Sequence, residues 1–240
     1  MSDTPVKALL CDLDGTLLDV DMEEFMKPYF AALVPYVSPY LPGVEVVKAL
    51  MASTQAMMAS HPTLTNEEAF WSDFTARVHV AREAIEPVFV RFYKEVFPSL
   101  GRYTRQVPEA RVLVQAAMAH GLDVVVATNP IFPAIAIETR LGWAGLAGLP
   151  FRHVTTMENS HYTKPSRAYF EEILAVIGRR PEECLMVGND PQMDLPEVDL
   201  GLRTFLVSAV PDGAAVDFHG TLRDLAAMLP RLAAGNGNPW

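Results

Sequence analysis

The stretch ALLCDLDGTLLD, residues 8–19, is an apolar run that stops at two carboxylates, Asp12 and Asp14, one leucine apart and followed by Gly15 and Thr16. The nearly continuous apolar run over 6–13 is the pattern of a parallel β-strand covered on both faces. Side chains two apart on a strand share a face, so Asp12 and Asp14 are expected side by side at the strand's carboxyl end, where open α/β sheets place their ligands. Two acids so placed repel unless something positive lies between them. A divalent cation is the simplest solution, because hard oxygen ligands suit Mg²⁺, which keeps sites for a phosphate and for water. Gly15 permits a sharp turn, and Thr16 adds a hydroxyl within reach of a bound anion. The plainer alternative is a solvated strand end with chance acids.

Working outward, similar apolar runs recur at 123–128 (DVVVAT), 151–156 (FRHVTT), 183–188 (ECLMVG) and 204–208 (TFLVS), each next to a segment of helical pattern. Strands alternating with helices indicate an α/β fold, a Rossmann-like, doubly wound parallel sheet. A helix over 108–120 presents Val112, Leu113, Ala116 and Ala117 on one face and stops at Gly121; another over 165–177 stops at Gly178.

Between the first and second strands lie roughly a hundred residues without a convincing strand, far more than a loop. Met22, Phe25, Met26, Tyr29, Phe30, Leu33, Val34 and Val37 recur at helical spacing, and Thr65 with Glu68 matches a capping box. Pro28, Pro35, Pro39 and Pro87 are expected to start or interrupt short or kinked helices. Met51, Met57 and Met58 read as core packing. The organisation expected is an α/β core of 1–18 and 104–232, an inserted all-helical cap of 19–103, and a frayed tail of 233–240.

The chain has 240 residues, half of them hydrophobic, with a formal net charge of -10. That balance argues against a nucleic-acid partner, because no excess of Lys and Arg exists to neutralise a phosphate backbone. No apolar run reaches the length of a membrane span and the N-terminus does not resemble a signal peptide, so the expectation is a cytoplasmic protein with no membrane partner. Cys11 and Cys184 both sit in apolar runs, as small buried thiols do. The six histidines show no zinc-site spacing.

Further polar residues stand at the ends of the later strands. Thr128 and Asn129 offer a hydroxyl and an amide that can hold phosphoryl oxygens without adding negative charge. Lys164, in HYTKP, is a cation after the third strand. VGNDPQMD places Asn189, Asp190 and Asp194 after another, as a second set of oxygen ligands. His161 stands near Lys164 and reads as an exposed loop residue; Asp19, Asp21 and Lys27 read as solvated charge.

DLDGT, then Thr128, then Lys164, then the acidic cluster at 189–194 resemble, in order, the four motifs of the haloacid dehalogenase-like (HAD) superfamily, over almost the whole chain. The resemblance implies that Asp12 attacks phosphorus to form an aspartyl-phosphate and that Asp14 protonates the leaving alcohol and then activates water. It implies that Gly15, Thr16, Thr128, Asn129 and Lys164 surround the phosphoryl group. It also implies that Mg²⁺ is bound by Asp12, by Asp14 through its backbone carbonyl, and by the 189–194 cluster. Where the family pattern has an aspartate directly after the glycine, this chain has Asn189, so Asp190 or Asp194 is expected to supply the anionic ligand.

Asp14 disfavours dehalogenation, in which a halide leaves without a proton. The activity so implied is that of a Mg²⁺-dependent phosphatase acting on a small phosphorylated metabolite. A phosphomutase, or a binding or regulatory protein with weak turnover, is the alternative. The oligomeric state and the substrate are not written in these motifs.

Overall fold

In the computed structural model, which describes residues 4–59, 62–195, 200–207, 210 and 216–235, the opening apolar run forms β1 (Ala8–Cys11), every residue of it buried. The strand ends before Leu13 because the Leu13 carbonyl accepts the amides of Thr16, Leu17 and Leu18 and so closes a turn. The chain continues through β2 (Leu18–Asp19), four helices α1 (Met22–Val37), α2 (Val46–Met58), α3 (Asn66–Val78) and α4 (Arg82–Glu95), and β3 (Arg105–Gln106). Then come α5 (Pro108–Ala119), β4 (Asp123–Val126), α6 (Ala134–Trp143), β5 (His153–Val154), α7 (Arg167–Ile177), β6 (Cys184–Gly188), β7 (Arg203–Leu206), β8 (Phe218–His219) and α8 (Leu222–Ala234).

Six strands form one sheet in the order β5-β4-β1-β6-β7-β8, every pairing parallel. β1 lies between β4 and β6, with Leu10 opposite both Val125 and Met186. The strand order therefore reverses at β1, and its carboxyl end faces the crevice that such a reversal opens. Leu9 and Cys11 pack on one face with residues of α5 and α8, and Ala8 and Leu10 on the other with Tyr169, Phe170 and Ile173 of α7. This is the doubly wound arrangement expected. β2 and β3, where the chain leaves and re-enters the sheet layer, pair antiparallel, with Asp19 and Arg105 joined at 2.8 Å.

The helical insertion differs from expectation in two respects. Pro28 and Pro35 lie inside the 16-residue α1, and Pro87 inside α4, without ending either helix. The residues four positions earlier, Glu24, Ala31 and Glu83, are exposed, so water can satisfy the carbonyls that proline leaves without a donor. Met57 is buried, but Met51 and Met58 are 54% and 43% exposed, so only one of the three methionines packs in the core. Their apolar stripe faces a cavity instead.

Elsewhere the buried stripe of α5 is Ala110, Leu113, Val114 and Ala117; Val112, off that stripe, is exposed. Thr65 and Glu68 form the capping box, and α7 ends at Gly178 in the left-handed conformation. At the C-terminus Ala233 and Ala234 still belong to α8, capped by Gly235; 236–240, like His61 and Ser208, lie outside the described residues. Cys11 and Cys184 are free and buried, and burial pushes both thiols up to about 12. Among the described residues no helix is long and apolar enough to cross a membrane.

Candidate active site

The carboxyl ends of β1, β4 and β6 converge on a cavity of about 590 Å³. Asp12, Asp14, Thr128, Asn129, Lys164, Asn189, Asp190 and Asp194 all line it. Lys164 is its centre. Its ammonium donates to Asp12 Oδ1 at 2.7 Å and to Asp194 Oδ1 at 2.6 Å, with all three side chains buried. Asp194 Oδ2 accepts the amides of Asn189 and Asp190, both at 3.0 Å. A Cβ on Gly188 would collide with this carboxylate, so glycine there lets the 189–194 turn fold back under the end of β6. Asp194 thus spends its oxygens on Lys164 and the turn. Asn189 and Asp190 also line the cavity, with Asn189 Oδ1 accepting from the Thr16 hydroxyl and Asp190 Oδ1 from the Gln192 amide at 2.8 Å.

Burial pushes the Asp12 carboxyl up to about 7; Lys164 opposes that rise, while Asp194 and Asp14 add to it. Burial works against the Lys164 charge, but the carboxylates of Asp12 and Asp194 outweigh it and hold Lys164 above its ordinary range. One ammonium shared by two buried acids leaves the cluster short of positive charge.

Asp14 answers to a residue that sequence reading does not single out. Arg140 of α6, 2% exposed, donates from Nη1 to Asp14 Oδ2 at 2.7 Å, and its guanidinium carbon lies 4.0 Å from the Phe132 ring centre. Asp14 Oδ1 and Arg140 Nε and Nη2 are buried without a hydrogen-bond partner. The signal was present in the sequence: Ala136, Ile137, Arg140 and Leu141 form the buried face of α6, and a lone arginine on an apolar stripe needs an anion.

Thr16, expected near a bound anion, is buried and donates to Asn189 Oδ1 at 3.0 Å. Gly15, at φ +87°, lies so close to Asn189 that a Cβ would clash with its amide. Neither residue is in the cavity wall, and both lie against Asn189. Asp19 and Asp21 are exposed, as solvated charges are, and also stand in the cavity wall, Asp19 paired with Arg105 and Asp21 as the N-cap of α1; Lys27 pairs with Glu24 on the surface. His161 bonds to Glu172 at 2.6 Å.

Among the described residues the cavity wall carries Asp12, Asp14, Asp19, Asp21, Glu23, Asp190 and Asp194 against Arg140 and Lys164. A phosphate ester meets net repulsion there unless a cation enters with it. The donors suit a hard one: Asp12, the Asn189 amide and Asp190 offer oxygen, as would the Asp14 carbonyl, its carboxylate being taken by Arg140. Among the described residues no cluster of three His, Cys, Asp or Glu stands as a ready-made metal centre. Mg²⁺ does not require one, since it binds through one or two carboxylates plus substrate phosphate and water.

The helical insertion is tied down beside this edge. The amides of Asn66 and Glu67, at the start of α3, donate to the Ser160 and Met157 carbonyls, each at 2.8 Å. Asn66 Nδ2 donates to Pro130 O at 3.1 Å and Tyr162 O at 3.3 Å, next to Asn129 and Lys164.

Comparison with known proteins gives a family and a fold. The model of one family, described as a haloacid dehalogenase-like hydrolase, matches residues 6–197. A phosphoserine phosphatase of Thermus thermophilus is 29% identical over 239 residues, covering 86% of this chain and 94% of that protein. The crystal structure of a HAD phosphatase from Thermococcus onnurineus superposes with a TM-score of 0.56 at 19% identity, covering 92% of this chain and 96% of the other. An L-2-haloacid dehalogenase from Xanthobacter autotrophicus with chloropropionic acid covalently bound superposes with a TM-score of 0.55 at 15% identity, covering 94% and 98%.

Proposed function

The chain belongs to the haloacid dehalogenase-like hydrolase family, and from that premise we infer that it is a Mg²⁺-dependent phosphatase of a small phosphorylated metabolite. The observation that carries this reading is the junction of Asp12, Lys164 and Asp194 at the carboxyl edge of β1, with Asp14 beside it on Arg140. The name of the Thermus relative, phosphoserine phosphatase, supports the reaction class.

In this reading an Asp12 carboxylate oxygen bonds to phosphorus as the ester P–O bond breaks. The electron pair leaves with the alcohol oxygen, which takes a proton from Asp14. Asp14 then receives a proton from water, whose oxygen attacks phosphorus and releases inorganic phosphate and the Asp12 carboxylate. Asp14 Oδ1, without a protein partner, is the atom on which that proton is held. Lys164 and Thr128 place positive charge and a hydroxyl against the phosphoryl oxygens. Asp12, the Asp14 carbonyl, Asn189 and Asp190 would hold Mg²⁺, which when bound offsets the charge of the phosphate and nucleophile. We take 19–103 as a cap that covers the site and limits water.

Phosphate release from p-nitrophenyl phosphate, with Mg²⁺ and with EDTA, tests this reading. Turnover that needs Mg²⁺, is abolished in Asp12→Asn and is inhibited by beryllium fluoride is expected. A properly folded protein that releases no phosphate from a broad ester panel contradicts it.

A further inference from the structure

A second cavity, of about 860 Å³, adjoins the first, and the two share Met22, Glu23, Ile131 and Phe132 in their walls. It lies between the helical insertion and the start of α6, and its volume is that of a small-molecule site. Its wall is aromatic and thioether-rich: Trp71 and Phe89 meet edge to face at 5.7 Å, and Met51, Met58 and Val90 turn exposed apolar surface toward it. Its polar groups are largely spent on one another. Tyr29 and Tyr93 share a 2.9 Å hydrogen bond, Glu67 and Glu86 hold Arg82, and both oxygens of Glu158 accept the Ala134 amide. Glu23 and Glu138 are exposed, and among the described residues lining this chamber there is no lysine, arginine or histidine.

Resting on the phosphatase reading above, we propose that the substrate is a phosphate monoester of an apolar alcohol, aromatic or aliphatic, whose body passes Phe132 into this chamber while its phosphoryl group lies at Asp12. Three features fix the occupant. The chamber shares Met22, Glu23, Ile131 and Phe132 with the wall of the catalytic cavity, so it lies next to the place where the alcohol part of a bound ester would project. Its free surface is apolar, so the joined group gains by leaving water. Its charge is negative, so a second anion on the substrate is excluded: Lys164 and Arg140 are already paired, and a carboxylate there meets Glu23 and Glu138. An ester such as phosphoserine, the substrate in the name of the Thermus relative, has no apolar body to bury in the chamber.

The test is a series of kcat/KM values, with Mg²⁺, for ethyl, butyl and hexyl phosphate and 1-naphthyl phosphate, set against O-phosphoserine. Each added methylene is expected to raise kcat/KM about fourfold until the chamber is filled. 1-Naphthyl phosphate is expected to exceed O-phosphoserine by at least roughly tenfold. Met58→Glu and Val90→Glu, at exposed positions that a charge does not unfold, should each collapse the naphthyl-to-ethyl ratio at an unchanged melting temperature. A flat series, a preference for O-phosphoserine, or ratios untouched by both variants overturns the proposal.

If no ester at all is hydrolysed, the phosphatase reading fails by itself, and binding of the neutral fluorophore N-phenyl-1-naphthylamine then decides the chamber. Saturable fluorescence displaced by 1-naphthol and lost in both variants keeps the apolar occupant; its absence overturns it.

Discussion

Removing the Arg140 side chain should damage the fold and the site through Asp14. In Arg140→Met the Asp14 carboxylate, 11% exposed, stays buried without its partner, and breaking a buried pair from one side costs about 3–5 kcal/mol. The guanidinium also leaves the Phe132 face, 4.0 Å away, a contact worth about 2 kcal/mol when desolvated and partly replaced by the methionine sulfur. Asp14→Asn leaves an amide oxygen to accept from Arg140, so its cost is nearer that of a weakened hydrogen bond to a charge, about 1–3 kcal/mol. The double variant buries no charge at this place and should lie within about 2 kcal/mol of the unmodified protein.

The assay is a double-mutant cycle by urea unfolding in EDTA, with a coupling of at least about 2 kcal/mol expected. In thermal unfolding Arg140→Met should melt about 10 °C lower, at about 2–4 °C per kcal/mol for a chain of this size. Additive single effects, or an Arg140→Met variant within about 0.5 kcal/mol of the unmodified protein, would refute the reasoning that one buried guanidinium holds Asp14 in place.

Lys164→Met leaves Asp12 and Asp194 sharing no cation, and phosphate-release kinetics should fall by roughly 10³ or more, with a destabilisation of about 3–5 kcal/mol; retention of a tenth of the rate would contradict its role. The Lys7 ammonium at 2.6 Å, with the Arg180 amide, holds Glu183 down at about 2, so the stability Glu183 contributes is full above its ordinary 4.5 and is lost as pH falls toward 2. Lys7→Met should therefore unfold more easily at pH 7, by a margin that closes across that window in acid titrations followed by circular dichroism; a constant margin argues otherwise. Asn66→Ala strips the Pro130 and Tyr162 carbonyls of a donor, and hydrogen exchange should quicken at the start of α3 with a loss of about 1–3 kcal/mol. Asn189→Asp adds a charge to an oxygen donor that Thr16 already orients, so half-saturation by Mg²⁺ should fall by roughly tenfold in a rate titration, whereas a rise would remove Asn189 from the ligand set.

What sequence made legible follows the physics of a strand edge. Asp12, Asp14, Thr128 and Lys164 each close or follow an apolar run, and parallel runs must end on the same side of a sheet, so their order along the chain predicts their meeting. Directions of side chains in turns are different. Thr16 has the chemistry to touch an anion, but the turn closed on the Leu13 carbonyl leaves it under the site, bonded to Asn189. Arg140 escapes because its partner stands 126 positions away, and only its place on the buried face of α6 betrays it. Met51 and Met58 show a third limit: an apolar stripe says that a face avoids water, and says nothing of whether a neighbour fills the space in front of it.

The most direct measurement is mass spectrometry of protein denatured in acid during turnover of p-nitrophenyl phosphate with Mg²⁺. The account predicts one added phosphoryl group, labile to hydroxylamine, on the peptide that contains Asp12, and none in Asp12→Asn. A phosphoryl group on another residue, or turnover undiminished in Asp12→Asn, would contradict it.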